Sequence, residues 1–331
     1  MKKFWIILAV LALLFSLLPG PAASGDPELS IVTTIFPEYD WVMEILGENP
    51  SNANVTMLLD SGVDLHSYQP NVQDMVTLSN CDLFLYVGGE SDGWVEGALS
   101  NAMNQDMIVI NLLEVLGENA KEELLVEGME DSHEDAHHEE EDGHEEAEHH
   151  EHREFDEHVW LSLRNAALFC QTIRDALITL DPENEEHYQA NTQAYLEALS
   201  QLDDAFAAAV AQGSQDTLLF GDRFPFRYLV DDYGLNYYAA FSGCSAETEA
   251  SFETILFLAN KLDELGLHSI LTLEGSDGKL AQTIANTART GDITILSMNS
   301  MQSITGKDVQ EGAKYLTIME ENLNALEAAL R

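Results

Sequence analysis

Asp181-Pro182-Glu183-Asn184-Glu185-Glu186-His187-Tyr188 opens the stretch that decides the architecture of this chain, and it continues through Tyr195, Leu199, Leu202 and Phe206 to about Ala211. Asp181 supplies a helix N-cap, Pro182 a first helical position and Glu183 an early acid. The apolar residues that follow recur at helical spacing, so one helix of roughly 30 residues, about 45 Å at 1.5 Å per residue, is expected. A helix of that length can bridge two domains.

Short β-branched runs alternate with amphipathic stretches on both sides of it. Upstream, 31–35, 55–59, 83–87 and 108–110 read as strands, with a helix over 40–46 and a helical pattern over 159–180. Downstream, 217–220, 235–239, 269–273 and 293–296 read as strands and 307–330 as a closing helix. Strands separated by crossover-length segments make parallel sheets. The expected fold is α/β: two parallel-sheet lobes joined by one long bridging helix. The boundaries are 26–180 for the first lobe, 181–212 for the helix and 213–331 for the second lobe.

The 331 residues, 45% of them apolar, are enough for two cores rather than one minimal domain. A formal charge of −45, from 59 acidic against 14 basic residues, repels phosphate backbones and anionic lipid surfaces. Nucleic acid is therefore excluded as a partner, and cations are the natural ones. Met1-Lys2-Lys3, an apolar run over 4–18 and then Pro19-Gly20-Pro21 with small residues through Ser24 read as a cleaved secretory signal peptide over 1–24. The run is shorter than the ~20 residues of a membrane anchor. No cysteine follows it, so an unlipidated exported chain is expected, either periplasmic or at the cell surface. Cys81, Cys170 and Cys244 are too few and too scattered for a disulfide framework.

Residues 131–152 hold seven of the eleven histidines (His133, His137, His138, His144, His149, His150 and His152) among eleven carboxylates. Clustered imidazoles suit zinc, copper or nickel, and a stretch with so little apolar surface cannot fold by itself. It is expected to be a weak, multi-ion collector. His133-Glu134-Asp135-Ala136-His137 spells a zinc-protease motif, but no apolar helix face surrounds it, as such a site requires. A secreted metallohydrolase would need an open coordination position and a poised base, and no such constellation is present. A metal buffer, in which the tract is the whole function, is the other alternative. It would bind many equally weak ions rather than one tight one.

Two histidines outside the tract have distinctive surroundings. His66 lies in Ser61-Gly62-Val63-Asp64-Leu65-His66-Ser67-Tyr68-Gln69-Pro70, just after an expected strand, where ligand crevices of α/β sheets form. His158 lies in Phe155-Asp156-Glu157-His158-Val159-Trp160-Leu161, between the tract and a helix. His187 and His268 read as surface residues.

With these segments the chain resembles the zinc/manganese substrate-binding proteins of ABC importers, the ZnuA/TroA-like (cluster A-I) family. Its G-V-D-x-H-x-Y-x-P and D-x-H-x-W-L segments match Gly62 to Pro70 and Asp156 to Leu161. The resemblance covers essentially the whole chain after the leader. It implies a metal held in the cleft between the lobes by His66 and His158, and a non-enzymatic, monomeric receptor that delivers the ion to a membrane permease with its ATPase. In the family a third ligand, His or Glu, follows a strand of the second lobe, and here Asp222 is the nearest candidate, with Arg223 beside it able to neutralise it instead. The family's late carboxylate would fall near Met298-Asn299-Ser300-Met301-Gln302, which has none. Glu274, at a strand's C-terminal end, could substitute, as could Cys244, which otherwise reads as a small buried filler. The expected ligand set is thus His66, His158, Asp222 and Glu274. Zn2+ is the expected ion, with Mn2+ favoured only by a carboxylate-richer set.

Overall fold

The computed structural model describes residues 29–47, 53–129, 155–245 and 249–331. The expected leader over 1–24 and the tract over 131–152 lie outside the described residues.

The first lobe runs β1 (Leu29–Thr33), α1 (Phe36–Leu46), β2 (Ala53–Met57), α2 (Val72–Asn80), β3 (Leu83–Tyr86), α3 (Val95–Leu99), β4 (Ile108–Asn111), α4 (Leu112–Leu116) and α5 (Leu163–Leu180). After α6 (Glu185–Gln212) come β5 (Thr217–Phe224), α7 (Arg227–Tyr233), β6 (Asn236–Ser242), α8 (Phe252–Leu265), β7 (Ser269–Leu273), α9 (Lys279–Thr287), β8 (Thr294–Met298), α10 (Gly306–Gln310) and α11 (Tyr315–Ala329). The two four-stranded sheets have the orders β2-β1-β3-β4 and β6-β5-β7-β8, with every pairing parallel.

Central strands covered on both faces read as continuous apolar runs. Ile31, Val32, Leu83, Phe84 and Leu85 are accordingly inaccessible to solvent. In each sheet the chain enters at a central strand, lays the next strand on one side and then crosses to the other. That reversal opens a crevice at the C-terminal strand ends. The loops after β2, β3, β5, β6, β7 and β8 all start there.

The bridging helix α6 buries Tyr188, Thr192, Tyr195, Leu199, Leu202, Phe206 and Ala209. Their alternating spacing of three and four gives one apolar stripe. Near its start, His187 Nε2 lies 3.0 Å from the Leu46 carbonyl and the Asn191 amide donates to the Ile45 carbonyl at 3.0 Å. Just past its end, Ser214 N donates to the Leu330 carbonyl at 2.7 Å. The helix therefore fastens to α1 of the first lobe at one end and to the last helix of the second at the other. One hydrophobic core runs through residues of both lobes, and a second lies beneath α8 and α9.

Four local expectations are corrected. Asp181 does not cap a helix with its side chain; it accepts from Tyr188 Oη at 2.6 Å and Asn184 Nδ2 at 2.8 Å, and a 3-10 turn, Pro182–Asn184, precedes α6. His187 is half-buried against α1, because the carbonyls at that helix's C-terminal end need partners. The helical pattern from Val159 splits into a 3-10 turn, Val159–Leu161, and α5, which Ser162 caps by accepting from Asn165 N at 3.1 Å. The closing helix is two, parted near Gly312, whose φ of 99° a helix does not tolerate.

Candidate metal centre

The loop after β2 turns at Gly62 (φ 76°), where a side chain would also come within 3.1 Å of Thr305 on the second lobe. Asp64 then caps the 3-10 turn Leu65–Ser67 by accepting from His66 N at 3.0 Å, and buried Leu65 pins that turn to the core. His66 is thereby aimed into the cleft. Its Nδ1 lies 2.8 Å from Ser91 Oγ and 3.3 Å from Glu157 Oε2, and Ser91 Oγ donates to that same Glu157 oxygen.

His158 is fully buried. Asp156 Oδ1 accepts from its backbone N at 2.9 Å and faces its Nδ1 at 3.1 Å. Each imidazole is thus oriented through Nδ1 by a carboxylate, the arrangement that fixes ring and tautomer in metal-binding histidines. The two Nε2 atoms face each other at 3.3 Å. A divalent ion entering between the rings would be ligated through these two atoms.

The second lobe approaches from the opposite side. Gly243, at the end of β6, admits His158: a Cβ there would stand 2.9 Å from the ring's Cε1. Arg223, on β5, donates to Asp64 Oδ2 at 3.0 Å, so it pairs with the first lobe and not with its neighbour Asp222. Gln302, oriented as its neighbours require, donates its amide to Asp64 at 2.7 and 3.1 Å and presents its carbonyl oxygen 2.6 Å from His158 Nε2. Among the described residues, donor atoms of His66, His158 and Cys244 all lie within 4.8 Å of one another.

Asp222 and Glu274 are not members of that group. Asp222 accepts from Arg223 N at 2.9 Å and Leu273 N at 3.3 Å, tying β5 to β7. Glu274 accepts from Ser300 N and Ser300 Oγ at 2.7 Å each and from Ser303 Oγ at 3.3 Å. It anchors the loop in which Met301 adopts a positive φ of 64° and Gln302 reaches the cleft. Ser91, Glu157, Asp64 and Gln302 also line the site and were not singled out by the sequence, which offered Arg223 only as a partner for Asp222. Glu157 and Asp64 lie inside the two histidine motifs and Gln302 in the segment matching the family's last ligand; nothing in the sequence marks Ser91.

Burial alone would lower the His66 pKa, but the Glu157 hydrogen bond and the charges of Asp64 and Glu157 leave it above 6.5. Burial would raise Glu157, yet hydrogen bonds from His66 and Ser91 hold it below the ordinary value. Burial, with the nearby Glu123, Asp156 and Glu157 charges, pushes the Cys244 thiol far up. The site as a whole is a cleft of nitrogen and sulfur donors with carboxylates behind them.

A family model described as ZnuA, zinc-uptake complex component A, periplasmic, matches residues 31–329. The chain belongs to the ZnuA family. It is similar to the zinc-binding lipoprotein AdcA of Streptococcus pneumoniae, strain ATCC BAA-255 / R6, at 31% identity over 98% of this chain and 60% of that protein. The chain thus spans about 60% of the length of these AdcA relatives. Similarity to the high-affinity zinc uptake system protein ZnuA of Bacillus subtilis, strain 168, is 28% identity over 100% of this chain and 99% of that one. Among solved structures, the Zn(II)-bound ZnuA-like domain of S. pneumoniae AdcA superposes with a TM-score of 0.68 at 27% identity, covering 91% of this chain and 98% of that one. The ZnuA-family fold is thereby the one expected from the strand and helix pattern, two α/β lobes around a long helix.

Proposed function

We propose that this chain is the extracytoplasmic receptor of a metal-ion ABC importer, capturing one Zn2+ between its lobes and delivering it to a membrane permease driven by an ATPase. It acts as a monomer and carries out no chemical conversion; the ion is its cargo. The observation that carries the reading is the pair of Nε2 atoms 3.3 Å apart in a buried cleft, each ring backed by a carboxylate. Two preoriented imidazoles favour a borderline ion such as zinc, while a manganese site wants an oxygen-rich shell.

Its relatives support the same cargo, since AdcA is named zinc-binding and the B. subtilis protein a zinc uptake component. We assign His66 and His158 to the ion. Asp222 and Glu274, whose oxygens are taken up by backbone and hydroxyl donors, we assign to holding the second-lobe loops in place.

Isothermal titration of the purified chain tests this. One tight zinc per molecule, above a population of weak sites, is the expected result. Many equal weak ions and no tight one would make the protein a buffer instead.

A further inference from the structure

The second lobe meets the two histidines with a thiol and an amide where carboxylates were expected. Cys244 stands at the end of β6, next to Gly243, whose missing side chain lets His158 come close. Its donor atom lies with those of His66 and His158 inside a 4.8 Å cluster. Gln302 reaches the same point from the loop after β8, its carbonyl oxygen 2.6 Å from His158 Nε2. The other two cysteines, Cys81 and Cys170, are wholly buried in the shared core, away from this cluster.

We propose that the second lobe closes on the ion through sulfur, with the Cys244 thiolate as third ligand and the Gln302 carbonyl oxygen as a neutral fourth. This rests on the receptor reading above and sets its selectivity. A site of two imidazoles and one thiolate prefers Zn2+, and similarly thiophilic ions, to Mn2+.

Binding breaks the S–H bond heterolytically. The sulfur electron pair goes to the metal and the proton leaves to water, with no change in oxidation state. The metal's charge makes this step favourable for a thiol that is otherwise protonated. Gln302 adds an oxygen without adding charge, so the shell keeps one anionic donor.

The test loads the full chain with one equivalent of Co2+ and reads the near-ultraviolet sulfur-to-cobalt charge-transfer band. The tract over 131–152 contains no cysteine, so the band cannot arise there. The band should appear in the wild type, persist in Cys81→Ser and Cys170→Ser, and vanish in Cys244→Ser. Zinc affinity in Cys244→Ser should fall by at least the ~10–100-fold that loss of a mere supporting group costs, while Mn2+ affinity changes little. Gln302→Glu should shift the Zn2+ to Mn2+ preference toward manganese.

A wild type without the band, or a Cys244→Ser variant that keeps it, overturns the thiolate assignment. An unchanged metal preference in Gln302→Glu overturns the role of the amide. If the band is missing while His66→Ala still abolishes the tight site, only the thiolate falls and the receptor reading stands. Should His66→Ala leave the tight site intact, the reading falls as well.

Discussion

Arg223 on the second lobe donates to Asp64 on the first at 3.0 Å, two residues from His66. The contact spans the cleft and is joined by Gln302, which donates to the same carboxylate. The lobes are therefore fastened directly to each other as well as through any ion between them. Both partners are about a quarter exposed, so the pair contributes no more than ~1 kcal/mol and is weakened by salt. Arg223→Ala should speed zinc release to a chelator by up to about fivefold at low salt and less at high salt. Stopped-flow release rates that match the wild type at both salt concentrations would show that the contact does not hold the cleft shut.

His66→Ala and His158→Ala should each abolish the tight zinc site while leaving the weak sites of the 131–152 tract. The two proposed populations would reside on different parts of the chain and share no ligand. Calorimetric titration distinguishes them by affinity and stoichiometry.

Glu157→Gln and Asp156→Asn remove charge behind the two rings without changing their shape. Each should weaken zinc by ~10–100-fold, the usual cost of losing the group that orients a ligating histidine. The far-ultraviolet circular dichroism of both variants should match the wild type. An affinity within twofold of the wild type would mean that the rings are held by packing alone.

Zinc binding should weaken as pH falls, starting from a value higher than an ordinary histidine would give. Only the neutral ring ligates, and Glu157 and Asp64 stabilise the protonated form of His66 enough to outweigh its burial, so its pKa lies above 6.5. Competition titrations from pH 8 downward should show affinity already declining above pH 6.5. In Glu157→Gln the decline should move to lower pH, because one source of the upward shift is gone.

Deeper in the first lobe, Glu38 is wholly buried, and burial raises its pKa from 4.5 to about 8 despite hydrogen bonds from Thr34 and Ile35. Between those two values the unfolded chain releases this proton and the folded chain keeps it. The group's contribution is intact below pH 4.5 and is lost progressively as pH rises toward 8. Urea unfolding of the wild type should therefore show lower stability at pH 8 than at pH 5. Glu38→Gln should flatten that difference, leaving a smaller slope from Asp92, which burial raises to about 7.

The sequence by itself determined the two parallel sheets, the long helix between them and the two histidines proposed as metal donors. Strand and helix periodicity is local, and fully buried parallel strands announce themselves as apolar runs such as Ile31-Val32 and Leu83-Phe84-Leu85. His66 and His158 were legible because each sits in a short motif whose neighbours, Asp64 and Asp156, fix the same turn that aims the ring. The tertiary structure alone decided what the second lobe brings to them. Asp222, Glu274, Cys244 and Gln302 all stand just past, or at, strand ends that open on one cleft, and nothing local ranks them as ligands. The ranking depends on which polar atoms already have partners. Backbone N–H groups of Leu273 and Ser300 capture the two carboxylates, and the absent side chain of Gly243 and the positive φ of Met301 bring a thiol and an amide to His158 instead. Those are contacts between residues dozens of positions apart, set by sheet order and loop packing, which no window of sequence contains.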